Sequence, residues 1–387
     1  MASPLQHFID DLEAPVSARR FGSGWFAGFF GLLLACAGFG LVVALRYPDW
    51  FSMPELKAAE ATNWFRPLVH IILLASYALA LLSLLLRRRK VIGFTALAIG
   101  IAAALLGGAN VSPRETHDWG IFFGVDFFVV NLIAAGLMFA PIERFWPHNR
   151  DQRLFRTEWR EDLFYYLISS MLVQIFTYLA LAPSSIINAN TSGLAGIRAA
   201  IGGQPWLLQF VEAMILTDLA QYWFHRAFHR WPFLWGFHAV HHSAKAMDWL
   251  AGARMHFVEI ILLRGVTSLP LLTFGFLPSV MQAYVALVYV YSGLVHANLK
   301  GDFDRFGHVM VTPRFHHWHH GIEKEAIDVN FAIHFPLWDK LFGTFYFPKG
   351  KWPSGYGVPE KVPNGYWKQL AYPFVRRQKA VEATKAE

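Results

Sequence analysis

The chain has 387 residues, 55% hydrophobic, 16% aromatic and only 16% charged, with a formal net charge of +7 and a mean hydropathy of +0.33. That composition argues against a string of soluble domains. Several apolar runs approach the roughly 20 residues that cross a bilayer, so an all-α, polytopic membrane helical bundle is expected.

Residues 1–22 carry Asp10, Asp11 and Glu13 ahead of Arg19 and Arg20. They lack the pattern of a secretory signal and are expected as a cytosolic N-terminal tail. Residues 23–119 form an N-terminal membrane segment of three spans, at 24–45, 67–86 and 91–109. Arg87, Arg88, Arg89 and Lys90 separate the last two, which makes them a hairpin. A fourth span, 120–140, carries Asp126 and Asn131, which are costly in lipid and should face other helices. A loop with Arg144, Arg150, Arg153, Arg156 and Arg160 leads to a fifth span, 163–182. A sixth, 206–224, runs straight into His225. Loop charge puts the N-terminus and His225 on the cytosolic side, in a bacterial inner membrane or an endoplasmic reticulum. Two more apolar pieces, 257–277 and 280–295, follow. The first is interrupted by Arg264, Gly265 and Pro270, so two crossings or a re-entrant pair would both return the chain to its starting side. Residues 347–387 hold eight basic and three acidic residues, a basic cytosolic tail suited to anionic headgroups or to solvent. Positive charge gathers at membrane edges and in this tail, which marks topology and not a nucleic-acid partner. A single cysteine, Cys36, allows neither an internal disulfide nor a thiolate metal site.

Chemistry concentrates in one stretch. Of 17 histidines, 13 lie between His225 and His334, most of them in three boxes. These are HRAFH (His225, His229), HAVHH (His238, His241, His242) and HHWHH (His316, His319, His320). Separations of three and four residues share a helix face, so each box is expected to aim its imidazoles at one point. Pro232 opens the second box's helix. Thr312 as N-cap, Pro313 as first residue and Gly321 as stop frame the third. Eight imidazoles exceed the four ligands of a tetrahedral zinc and point to a dinuclear site in a cytosolic helical cap. All-nitrogen donors admit zinc, copper, iron or nickel. The helical zinc-protease motif, a Gly-rich phosphate loop and a GxSxG elbow are all absent.

The boxes, with Asp218 and Tyr222 ahead of the first, HHS at 241–243, TPRFHHWHH, and NFAIHFPLWDKLFGTF at 330–345, resemble the fatty acid hydroxylase and sterol desaturase superfamily of integral-membrane di-iron enzymes. The bacterial and alkylglycerol-monooxygenase-like branches are the most similar. The resemblance covers about 141–345, within a catalytic domain drawn at 120–346. It implies two iron ions, dioxygen and a separate cytochrome b5- or ferredoxin-like electron donor, which together cleave a C–H bond of a sterol, fatty acyl or ether lipid by hydroxylation or desaturation. It implies His225, His229, His238, His241, His242, His316, His319 and His320 as ligands, and His296 as a ninth. Relatives carry a second histidine four residues beyond the position of His296, where this chain has Lys300. His256, where relatives often have HPLE, stands between ligand and neighbour. His317 points off the box face. His308 and His334 are expected beside the site or on the surface, and His7, His70, His117 and His148 are incidental. Asp218, Asp248, Glu259, Asp328, Asn330 and Asp339 lie near the boxes and could receive the imidazole N–H groups. The tryptophans 223, 231, 235, 249 and 318 suit a membrane-interface belt.

Two other classes compete. A haem electron carrier needs histidines on facing membrane helices, and a metal transporter needs ligands at midplane. The clustering of the boxes beyond the spans disfavours both.

Overall fold

A computed structural model describes residues 4–15, 18–51, 54–114, 125–190, 192–301 and 303–386. Among these the chain is helical, with no strand and one isolated bridge between Gly321 and Tyr356. The chain divides into two compact units. One comprises 1–141, 153–156 and 167–174. The other comprises 142–152, 157–166 and 175–387.

The first unit begins with α1 (Pro4–Leu12) and a long apolar α2 (Trp25–Arg46), followed by the short α3 (Pro48–Phe51) and α4 (Pro54–Glu60). Helices α5 (Phe65–Leu86) and α6 (Val91–Leu105) form the expected hairpin, and α2 packs on both. Glycine allows the approach: a Cβ on Gly31 would stand 3.0 Å from the backbone of Ala80. Small residues at such seams let membrane helices pack closely. The opposite face of α5 exposes Ile71, Leu74, Leu81 and Leu85, as a lipid-facing surface would. The expected N-terminal tail is anchored. Asp11 of α1 is fully buried and accepts from Arg87 Nε (3.1 Å) and from the Ile92 N–H at the start of α6 (3.2 Å). The chain continues into α7 (Val125–Phe145), in which Asn131 is half-buried. The start of the fourth expected span at 120–124, His117, and the Asp126 side chain fall outside the described residues.

The fifth expected span is two helices, α8 (Trp159–Met171) and α9 (Val173–Asn190), broken at Leu172. A short α10 (Ala195–Gly202) precedes α11 (Trp206–Arg230), the axis of the second unit, against which α12 (Pro232–His242), α13 (Phe257–Phe274) and α14 (Pro278–His296) pack. Arg264, Gly265 and Pro270 interrupt the apolar run of 257–277 but not its helix. Helix α13 runs unbroken through Arg264, Gly265 and Pro270 and turns into α14 at Gly275, whose φ of 77° suits glycine. Nearby hydroxyls bond back onto its carbonyls, Thr267 to Leu263 and Ser268 to Gly265. Among the described residues, five helical stretches are long and apolar enough to cross a membrane: Trp25–Arg46, Phe65–Leu86, Val91–Asn110, Phe257–Phe274 and Pro278–His296. The pair Trp159–Met171 and Ile175–Ile187 would make a sixth. Helix α11 is not among them, because Gln209, Glu212, Thr217 and Asp218 interrupt its apolar character.

Short helices α15 (Pro313–His319) and α16 (Leu337–Phe342) follow, α15 with Thr312 as its N-cap (3.4 Å to the Phe315 N–H). The expected C-terminal tail contains α17 (Tyr366–Ala386), which docks on α12. Gly236 allows close approach of Pro373, and Phe374 meets Phe237 edge-on.

Candidate metal centre

The helix ends place nine imidazoles together. Helix α11 ends in His225 and His229, α12 in His238, His241 and His242, α14 in His296, and α15 supplies His316, His319 and its C-cap His320. They sort into two groups, His225, His229, His238, His242 and His319, and His241, His296, His316 and His320. Within each, one ring nitrogen per residue lies within 4.8 Å of the others. This corrects the expectation that each box serves one point. The second and third boxes are both divided. Four residues turn a helix by about 400° and three by about 300°, so His238 and His242 nearly superpose while His241 points elsewhere. In the third box His316 and His320 go together, and His319 leaves them.

Hydrogen bonds at one nitrogen define the other. Nδ1–H donates to a carbonyl in His225 (Phe331, 2.9 Å), His241 (Arg254, 3.0 Å), His296 (Ser292, 2.7 Å) and His319 (Val329, 2.8 Å). A carbonyl can only accept, so in the neutral ring each Nε2 carries a lone pair. Yet Nε2 of His241 and Nε2 of His296 are 3.3 Å apart, and that of His316 lies 3.0 Å from that of His296. In the other group Nε2 of His238 is 3.0 Å from that of His225 and 3.1 Å from that of His242. Buried Nε2 atoms of His229 and His319 have no hydrogen-bond partner. Converging lone pairs repel unless a cation lies among them, so the donor set fits a metal ion in each group. Burial, reinforced by neighbouring imidazoles, holds His229, His238, His241, His242, His316, His319 and His320 well below the usual histidine range, and His225 at about 4. Neutral imidazole is the form that binds metal.

The other expected residues divide. Glu259 Oε1 meets His238 Nδ1 at 2.6 Å, and Asp328 lies 3.3 Å from His229 Nδ1. Asp248 instead accepts the Ala251 N–H (2.9 Å), while Asp218, Asn330 and Asp339 bond backbone and not imidazole. His256 is outside both groups. Its Nδ1 caps α13 by accepting from the Val258 N–H (3.1 Å) and its Nε2 donates to the Leu370 carbonyl (3.1 Å), which leaves no nitrogen for a metal. His317, as expected, points away, toward the Tyr356 hydroxyl (2.8 Å) and the His296 carbonyl (3.2 Å). His334 is buried beside the Tyr284 hydroxyl (3.3 Å), and His308 stacks on Phe345. His148 stacks on Trp352, and His7 and His70 are exposed. Of the tryptophans, Trp223 and Trp231 are exposed, whereas Trp235 packs against the rings of His229 and His242.

Sequence reasoning missed two supports. Arg254, fully buried, bonds Asp162 (2.5 Å) and Glu158 (3.2 Å), and its own carbonyl orients His241. Gly252 makes room for a ring, since a Cβ there would sit 2.8 Å from His296 Nδ1. A glycine between two boxes is the only local sign of the second, and an arginine two residues later the only sign of the first.

Fold and site together define a helical membrane protein with a buried, histidine-rich cluster that could hold metal. Residues 210–344 match the fatty acid hydroxylase family model, and over that stretch the chain carries a domain of this family. Ornithine lipid hydroxylase OlsE of Rhizobium tropici is 28% identical over 280 residues, 72% of this chain and 82% of the relative. Human alkylglycerol monooxygenase is 30% identical over 36% of this chain and 31% of its own length. Mouse lathosterol oxidase is 26% identical over 50% of this chain and 67% of its own. No solved structure matches the chain.

Proposed function

We propose that the chain is a membrane-bound, oxygen-dependent lipid hydroxylase or desaturase whose nine histidines hold two iron ions. The observation that carries this is the pair of convergent imidazole groups, inside the residues that match the family. Five and four nitrogen donors suit two separate ions, and carbonyl or carboxylate acceptors fix the tautomers of His225, His238, His241, His296 and His319 that those ions require. Bound iron supplies the oxidising power for a C–H bond, with dioxygen and electrons from a separate cytochrome b5- or ferredoxin-like donor. The protein's share is to hold the rings neutral and fixed and to exclude water from them. The apolar helices α13 and α14 run to the site, and α14 ends on His296, so lipid can approach along the membrane. Loop charge supports a site on the cytosolic face.

Membrane lipids are the substrate class, whether sterol, fatty acyl or ether lipid. An amino-acid-headed lipid is the first to test, because the ornithine lipid hydroxylase match covers most of both chains. The deciding experiment compares lipid extracts of cells with and without the gene by mass spectrometry. A species changed by one oxygen or two hydrogens is expected. Identical lipid profiles, with metal-free purified protein, would refute the reading.

A further inference from the structure

The motif at 330–345 supplies no metal ligand, yet it borders the five-histidine group closely. Three of the five rings face an oxygen from four consecutive positions, two of them through hydrogen bonds. Asp328 lies 3.3 Å from His229 Nδ1, the Val329 carbonyl accepts from His319 (2.8 Å), and the Phe331 carbonyl accepts from His225 (2.9 Å). The four-histidine group draws its carbonyls from two unrelated places, Arg254 and Ser292.

The backbone here is unusual. Asp328 and Asn330 have φ of 57° and 60°, the left-handed region that Asn and Asp tolerate better than other non-glycine residues. They are the only non-glycine residues with positive φ among those described. The conformation is held from behind by three buried polar side chains. Asp339 accepts the N–H groups of Phe331 (2.7 Å) and Ala332 (3.0 Å) and the Thr344 hydroxyl (2.7 Å). Asp218, from α11, accepts the N–H groups of Ile333 (2.8 Å), His334 (3.0 Å) and Phe335 (2.8 Å). The Asn330 amide donates to the carbonyls of Phe315 (3.1 Å) and Tyr346 (2.8 Å) and accepts from the Tyr346 N–H (2.9 Å). Two carboxylates thus take every backbone N–H from 331 to 335, and both are fully buried. Burying carboxylates is expensive unless they are fully hydrogen-bonded, so the arrangement implies a demand for one backbone conformation.

We propose that 328–335 is a clamp that orients His225, His229 and His319, with Asp218, Asn330 and Asp339 as positioning residues acting through the backbone. The four-histidine group has no such clamp, so disturbing it should empty one centre and spare the other. This rests on the reading that the histidines hold metal.

The test uses the full chain in detergent, loaded with zinc as a redox-silent probe and read as ions per chain. Asp339→Ala should lose the ion of the five-histidine centre and keep the other. Adding His316→Ala should then remove what remains, whereas adding His225→Ala should remove nothing more. Asp339→Asn, which keeps an acceptor oxygen, should recover the ion with affinity weakened about tenfold. If Asp339→Ala does not fold, Thr344→Val removes only the hydroxyl between Asp339 and Tyr222 (2.8 Å) and should weaken the same centre by about tenfold. Unchanged affinity in these variants, or loss from the four-histidine centre instead, would overturn the clamp. Amide hydrogen exchange on metal-free protein supplies a second readout. Peptides over 328–335 should exchange faster in Asp339→Ala than in wild type, and equal rates would also overturn the clamp. A wild-type chain that binds no zinc would refute the functional reading, while the exchange comparison would still judge the clamp.

Discussion

The two units bury polar groups for different ends. In the first, α2, α5 and α6 meet through glycine, alanine and serine, and the Asp11–Arg87 pair ties α1 to the hairpin. In that pair the Asp11 carboxylate accepts from both Arg87 and the Ile92 N–H. In the second, imidazoles converge with lone pairs facing one another, and carboxylates support them from behind. A polar interior of that kind is unfavourable without its ion. The difference teaches where to look for function: single buried polar atoms without a partner occur in both units, Ser83 Oγ among them, but among the described residues the second unit alone converges several ring nitrogens on common points.

Substitutions can break that distinction. The largest effect on chemistry should come from His241→Ala, whose ring belongs to the four-histidine group. Lipid product and metal at that centre should fall more than about 100-fold, beyond what loss of a supporting residue does. Retained product would refute the assigned site. Next is Glu259→Gln, which weakens the acceptor for His238 Nδ1. Metal affinity in chelator competition should drop about 10- to 100-fold, and an unaltered affinity would mean the contact does not tune the ligand. Gly252→Val drives a side chain into the His296 ring and should displace that ligand, lowering metal content while His238 and His225 keep theirs. In the first unit, Arg87→Ala strands the buried Asp11 and should cost about 3–5 kcal/mol in that unit's unfolding, with metal per folded chain unchanged. Metal loss in that variant would collapse the contrast between the units. The smallest effect is His148→Ala. It removes a stacking contact with Trp352 worth at most about 1.5 kcal/mol and should leave metal and product intact.

Much of the site was legible because histidine ligation has a local signature. The nine rings that converge are the eight of the boxes plus His296 at the end of an apolar run, all visible in the sequence. His256 failed the same test because a helix-capping histidine and a ligand look alike in a string. Only the partners at Val258 and Leu370 separate them. The carboxylates near the boxes were expected to receive imidazole N–H groups, and the structure divides them. Glu259 reaches an imidazole, but Asp218 and Asp339 reach one only through backbone. The interrupted apolar run left two crossings and a re-entrant pair open, and helix α13 runs on through Pro270, as membrane helices tolerate proline.

By itself the sequence determined what depends on neighbours along the chain: helical spans from apolar runs, capped short helices, and imidazoles at three- and four-residue spacing. Tertiary structure alone decided how the boxes divide into two groups, which carbonyls hold the rings, and why 328–335 bends as it does. The supporting hydrogen bonds join residues up to 117 positions apart, and one partner in each is a backbone carbonyl or N–H, so no side-chain pattern announces them.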